Sequence, residues 1–596
     1  MERHNDPRRS AASGLPLNRR QLLRGAGLAT TGLGAAALVG CGGGGGNKAP
    51  ATRPATTGAA TSAKRGGVGR CPLSTNAWDT FDLARSRFGP VARVAGYTNL
   101  GPVQYRNFAR AELEGAFTSS WEQPDATTLN LTLRDNLFWH RKPPVNGRQA
   151  TVDDIVQSIQ RNRAGVLLDG TKDPKFYRVG EYAAVESVEA VDARVVRVKF
   201  TRPNPFFLET LSGTFARIQA PEAVEAFEAE YATPNAAHVI GTGPYVLESW
   251  KVEGDYELER FDRSHVDPWI QHITCIPLAT DLSAWQAAFE DRRVDMFTPV
   301  KKTVADDLKA KYRGQIYDVT VLSQNPILGT VYGGAPPWNN EMLYGAIFRT
   351  MDRRRLMAEL YQGQAVLTGN VTPVNQAFAI PEKELITMPG YLEDHAKDLS
   401  EARQMWNVAG GPALGPVTVD IPDVFEATFP GVSATILDML RANLDGSWDV
   451  RIEPYTVISD KLTKNAYGNG KNNIWFGWGN GTEKVDPSLQ LWNSYNSASP
   501  LFPTLGGVKL PSVDDLTNRL LEEFDLARRM ELCQEVDREL SRHYGAGIAF
   551  LLLQVSNRLY WNYIHVGETP PFPDSHQVAS QYWLDQDDPT WAGRPA

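Results

Sequence analysis

A chain does chemistry through a few residue types at a few spacings, and this one, 596 residues long, is poor in them. Its nine histidines include no His-Glu-x-x-His pair, the spacing that puts two imidazoles on one helix face to hold zinc. It has no Cys-x-x-Cys, no Gly-x-Ser-x-Gly nucleophile elbow and no Gly-x-x-x-x-Gly-Lys-Ser/Thr phosphate loop. The acid pairs Asp153-Asp154 and Asp514-Asp515 fall at expected helix starts, where unpaired N–H groups and the macrodipole favour negative charge. A structural role outweighs a metal site there. His140, next to Trp139, reads as a packed side chain before a pocket-lining one. These absences predict no catalytic residue, no metal and no cofactor. A different kind of surface stands out at Ile474-Trp475-Phe476-Gly477-Trp478-Gly479-Asn480-Gly481, where an apolar strand runs into alternating glycines. Glycine lets a ligand approach the backbone, and the Trp478 indole offers a flat stacking face with one N–H donor.

Cys41 is the other residue whose surroundings suggest chemistry. Asn18-Arg19-Arg20-Gln21-Leu22-Leu23-Arg24 places the paired Arg19 and Arg20 before a mild apolar stretch from Gly25 to Val39. That stretch is shorter than the roughly 20 apolar residues a membrane-spanning helix needs, so residues 1–40 read as a cleavable signal peptide. The arginines resemble a twin-arginine export motif, with Asn18 where Ser or Thr is usual. Leu38-Val39-Gly40-Cys41 resembles a bacterial lipobox, in which the cysteine thiol carries the lipid. Residues 41–63, five glycines followed by Ala, Thr and Pro, bury too little to offset their ordering entropy and read as a flexible tether. The reading predicts an exported chain, lipid-anchored to the outer face of the cell membrane or in the periplasm. Three cysteines remain, Cys71, Cys275 and Cys533, and allow one disulfide at most, its pairing open.

The elements that must position Trp478 are legible in part. The length predicts two or more domains, and 42% apolar with 22% charged residues is ordinary for a globular protein. A net charge of −8 argues against a nucleic-acid partner. Leu129, Leu131 and Leu133, and then Val196, Val198 and Phe200, alternate as in half-buried strands. Thr151 with Asp154 forms a capping box before a helix carrying Val152, Ile155, Val156 and Ile159. Ser512 with Asp515 reads as a second box, opening a run through Leu516, Leu520 and Phe524. Met530, Cys533, Val536 and Leu540 share a helix face, and Gly547 to Val555 reads as a buried strand. The class is mixed α/β.

Six segments in order resemble the family 5 extracellular solute-binding proteins, the oligopeptide, dipeptide and nickel receptors of ABC importers. They are Leu113 to Trp121; Leu133 to His140 followed by Asn146 to Ile155; Gly241-Thr242-Gly243-Pro244-Tyr245 with Trp250; Ala287 to Asp295, where Asp291-Arg292-Arg293 replaces the usual glycine; Met351 to Ala365; and Gly390-Tyr391 to Ala409-Gly410. The resemblance implies a two-lobed periplasmic-binding-protein type II fold with an extra domain inserted in the first lobe. Lobe I would take 64–98, 237–298 and 545–596, the inserted subdomain 99–236, and lobe II 299–544.

It further implies a monomer that captures a peptide or other small polar solute between closing lobes and delivers it to the transmembrane subunits of an ABC permease, touching the membrane only through its anchor. In the peptide receptors of the family, a tryptophan matching Trp478 is followed within two or three residues by an Asp that pairs with the peptide's amino group. Here Asn480, Glu483 and Asp486 follow out of that register, so a different polar or cationic solute is as well supported as a peptide. Tyr97 and Asn99, in what reads as a strand-to-loop segment, are the candidates from the other lobe. The alternatives are a secreted lipoprotein hydrolase, which would need a nucleophile or acid pair, and a non-transport ligand-sensing or structural lipoprotein.

Overall fold

The computed structural model describes residues 63–596 except 74–77, 87, 109, 252–253, 279–281, 300, 331–335, 373–376, 465, 468–472, 479–484, 500–501, 503–506, 567–580 and 596. Four hydrophobic cores organise these residues. In the first, a four-stranded sheet orders Val68–Leu73, His272–Pro277, Tyr256–Arg260 and Tyr245–Trp250 side by side. Val68–Leu73 pairs in parallel with His272–Pro277, and the other pairs are antiparallel. Helix Gly89–Thr98 packs on it through Val91, Val94 and Ala95.

A second, antiparallel sheet takes Thr118–Asp125, Thr128–Leu133, Val195–Phe200 and Val185–Ala190. The alternating residues predicted for two of these strands all point inward: Leu129, Leu131, Leu133, Val196, Val198 and Phe200 are buried. Helix Val152–Ala164 contributes Val152, Ile155, Val156 and Ile159 to the same core. Its predicted box forms, with the Thr151 N–H donating to Asp154 at 2.8 Å. The box predicted at Ser512 does not. The helix is Pro511–Leu520 with Leu510 at its cap, because proline, lacking an N–H, takes the first helical position without loss. Phe524 lies beyond the helix end, exposed.

Two long strands connect the cores. Ile316–Thr330 and Ile548–Trp561 pair antiparallel over nearly their whole length. Leu559, Tyr560 and Trp561 are buried in the first core, whereas Leu551 and Leu552 belong to the core built around Ala346, Val419 and Phe476. The buried strand predicted at 547–555 therefore continues to Trp561 and passes from one core to another. The pairing register shifts between Leu322 and Pro326, midway along, where an irregular ladder gives the sheet a place to bend. Asn473–Trp478 joins Ile316–Thr330 on its other edge, and Val417–Pro422 and Trp448–Glu453 complete the parallel part of that sheet.

The Gly241-Thr242-Gly243 block has a steric reason. A Cβ on Gly241 would stand 1.8 Å from the Thr98 carbonyl oxygen, and one on Gly243 would stand 2.6 Å from the Tyr97 oxygen. Only glycine lets this strand entry lie against the end of helix Gly89–Thr98. His140 locks the other side. It is fully buried, its Nδ1 accepts the Gly241 N–H at 3.2 Å, and its Nε2 therefore carries the proton facing the Gly243 carbonyl at 3.2 Å. Burial pushes its pKa down to about 3. The imidazole is a neutral structural strut, as the packed reading of the sequence expects.

Candidate functional site

The carboxyl ends of parallel strands are where open α/β sheets receive ligands. Trp478 stands at such an end, and its backbone pairs with Ile327, beside the register shift of the connecting strand. The strand leading to it is apolar because both faces are covered: Ile474 and Phe476 belong to one core and Trp475 to another. A Cβ on Gly477 would meet the Trp475 ring at 2.8 Å, so glycine there permits the close packing of that indole. Asn480 and Glu483 lie outside the described residues, as do Arg19, Arg20 and Cys41.

The fourth core joins segments far apart in sequence. Tyr105, Phe108 and Ala111, from the hairpin formed by Val103–Asn107 and Glu112–Gly115, are buried with Trp475, Val485 and Leu491. Polar contacts reinforce the junction. The Glu209 carboxylate accepts the N–H groups of Val485 and Asp486, each at 3.0 Å, and the Tyr105 hydroxyl accepts the Val485 N–H at 3.2 Å. The Arg529 guanidinium lies over the Phe206 ring at 5.9 Å. Beside this junction is a cavity of about 360 Å³ bounded by Arg202, Asn204 and Phe206 on one side and by Leu489, Asn518 and Glu522 on the other.

Asp486 is part of the junction. It is 5% exposed, pairs with Arg529 at 2.8 Å and accepts the Ser488 N–H at 2.9 Å at the start of helix Ser488–Tyr495. Its charge is neutralised and both oxygens are engaged. Asn99 is fully buried, and its amide donates to the carbonyls of Ile218 at 3.1 Å and Ile240 at 3.3 Å. It ties three chain segments together. Tyr97 differs from both: it ends helix Gly89–Thr98 rather than the expected strand, is half-buried, and meets Tyr245 edge-on at 5.8 Å. Burial, then the charges of Cys71 and Cys275, hold its hydroxyl well above the ordinary tyrosine range, so it acts as a neutral hydrogen-bonding group. Tyr582 lies within its electrostatic reach and packs against both the first and the fourth cores.

Sequence reasoning missed Asp420 and Trp475 as a pair. They are register partners on neighbouring parallel strands. Asp420 is 1% exposed; one oxygen takes Lys461 at 2.7 Å and the Tyr467 hydroxyl at 2.8 Å. Its Oδ1 and the Trp475 indole N–H are buried without a partner among the described residues. An unsatisfied buried acceptor or donor costs about 1–3 kcal/mol. Their signal in the sequence was weak, because an Asp inside an apolar strand reads as an edge position. Among the described residues no cluster of three His, Cys, Asp or Glu side chains is placed to hold a metal, and no helix is long and apolar enough to cross a membrane.

Two of the hydrophobic cores, spanned by a pair of long strands, fit the two-lobed, mixed α/β architecture of the periplasmic type II solute-binding fold. Residues 112–500 match the bacterial extracellular solute-binding proteins, family 5 (middle region), and the chain belongs to that family. Its relatives include the oligopeptide-binding protein OppA of Bacillus subtilis, 20% identical over 446 residues that cover 71% of this chain and 76% of OppA. The dipeptide-binding protein of Escherichia coli is 22% identical over 315 residues, 50% of this chain and 55% of the relative. Among solved structures, the periplasmic binding protein DppA of Helicobacter pylori, in complex with the peptide STSA, superposes with a TM-score of 0.68 at 18% identity, covering 88% of this chain and 99% of DppA.

Proposed function

We propose that this protein is the lipid-anchored substrate-binding subunit of an ABC importer, closing two lobes on a peptide or another small polar solute and releasing it unchanged to a membrane permease. The observation that carries this reading is the pair of strands Ile316–Thr330 and Ile548–Trp561, which run from one core into another with a register shift at their middle. Lobe I in this reading takes 64–98, 237–298 and 545–596, with 99–236 inserted, and lobe II takes 299–544. The open and closed arrangements of such a protein differ by a few kcal/mol, and a micromolar ligand contributes about 8 kcal/mol, enough to set the population. Trp478 stacks on the guest, with Asn480 and Glu483 following it and Tyr97 facing it from lobe I. Asp486 and Asn99 act by holding the backbone in place. The relatives that bind peptides make a peptide the first class to test.

In this reading Arg19-Arg20 directs export, Cys41 carries the lipid, and the subunit works outside the cell membrane as a monomer. Two measurements test the reading. Intrinsic tryptophan fluorescence of the mature chain, titrated with pools of di- to pentapeptides, is expected to saturate at one equivalent for at least one pool. No saturation with any pool removes peptides as the substrate. Metabolic labelling with a tritiated fatty acid is expected to mark the wild-type chain and not Cys41→Ala; equal labelling of both refutes the anchor.

A further inference from the structure

The first sheet brings together two thiols that sequence separates by two hundred residues. Cys71 and Cys275 are direct register partners on the parallel strands Val68–Leu73 and His272–Pro277, so their side chains leave the sheet on the same face. Each thiol lies within electrostatic reach of the other. Their surroundings are unequal. Cys275 is fully buried in the first core, whereas Cys71 is half-buried. The Arg93 guanidinium donates to the Cys71 sulfur at 3.3 Å, and Arg558 adds its field. Tyr97 and Tyr256 are the other titratable groups facing the pair. The contact from Cys275, with Arg93 behind it, draws the Cys71 thiol down to about 6, while burial holds Cys275 well above the ordinary range. Cys533 belongs to another core and lies 3.4 Å from the Ser488 hydroxyl.

We propose that Cys71 and Cys275 form a reversible disulfide site, with Cys71 the attacking thiolate and Cys275 the resolving thiol. The Cys71 thiolate attacks one sulfur of a small-molecule disulfide such as oxidised glutathione. A mixed disulfide forms on Cys71 and one glutathione thiolate leaves. Cys275 attacks the Cys71 sulfur and expels the second glutathione, whose thiolate takes the Cys275 proton as it leaves. Two protein thiols are oxidised and one external disulfide is reduced to two thiols. Register partners in a parallel pair stand roughly 4.8 Å apart, near the short end of the Cα separation disulfides adopt. That separation lies within the range a disulfide spans, so the bond can close without backbone movement. The inference is independent of what the protein carries.

The test uses the full chain, exchanged from reductant into graded ratios of reduced to oxidised glutathione, then quenched with acid, alkylated and mapped by peptide mass. A peptide pair joined through Cys71 and Cys275, lost again on adding reduced glutathione, is expected at oxidising ratios. In Cys275→Ser, glutathione is expected to remain on Cys71. Alkylation of both thiols at every ratio overturns the proposal. So does a cross-link through Cys533, or a glutathione adduct that persists on Cys71 of the wild-type chain. The wild-type map alone decides, whether or not the variant folds.

Discussion

Trp478→Ala is expected to weaken solute binding at least tenfold while the melting temperature stays within about 2 °C, if Trp478 stacks on the guest as proposed. Titration calorimetry beside a thermal melt separates the two; unchanged affinity removes Trp478 from the site. Arg217 makes the opposite kind of prediction. It is 6% exposed, lines a second cavity, and its only hydrogen bond among the described residues is from Nε to the Thr214 carbonyl at 3.3 Å. Desolvation lowers its pKa to about 10, with no carboxylate to offset it. Arg217→Met is expected to leave stability unchanged or raise it by about 1–2 kcal/mol in urea unfolding; a loss of that size would show a partner for the charge. Chemistry at this scale was partly legible. His140 proved a strut because a histidine beside an aromatic is most often packed. Asn99 and Asp486 carry residue types a cleft would use, and only the fold reveals that Ile218, Ile240, Arg529 and Ser488 engage them.

Glycine and carboxylate contacts govern the elements. Gly241→Ala is expected to cost at least about 3 kcal/mol, because the new Cβ meets backbone that cannot turn aside; a neutral substitution in urea unfolding would mean the helix end yields. Asp537, on helix Leu526–Arg542, organises a loop: it accepts the N–H groups of Asn370 at 2.7 Å, Val371 at 3.2 Å and Ile380 at 3.3 Å. Burial raises its pKa to about 7 against those donors. A carboxyl whose folded pKa exceeds its unfolded value of about 3.9 makes the folded state hold the extra proton, so its contribution falls as pH rises from about 4 to 7. Wild type is expected to lose more stability between pH 5 and pH 8 than Asp537→Asn; equal losses contradict this. Elements with strict periodicity, such as Leu129 to Leu133, were readable because alternation reports burial directly. The helix around Tyr97 was not, since Gly96-Tyr97-Thr98 favours no helix and tertiary packing decides. At Ser512 the neighbouring proline outweighed the capping residue.

At the scale of the whole molecule, the two-lobed architecture was legible through the order of its segments, not through any single one. The strand Ile548–Trp561 shows the limit of that view: an unbroken apolar run gives no sign of where one core ends and the next begins. The junction through Glu209 and Tyr105 is expected to favour the closed arrangement. Glu209→Ala removes two charge-assisted hydrogen bonds of about 1.5–3 kcal/mol each, so the radius of gyration in solution scattering is expected to rise and solute affinity to fall more than tenfold. An unchanged radius would mean that the junction does not move. The most direct test of a guest held between two lobes is native mass spectrometry of the mature chain after incubation in a peptide-rich digest. The account predicts one small molecule per chain, released with its own mass unaltered on mild denaturation. A bare chain under all conditions, or a guest returned as cleaved fragments, would contradict it.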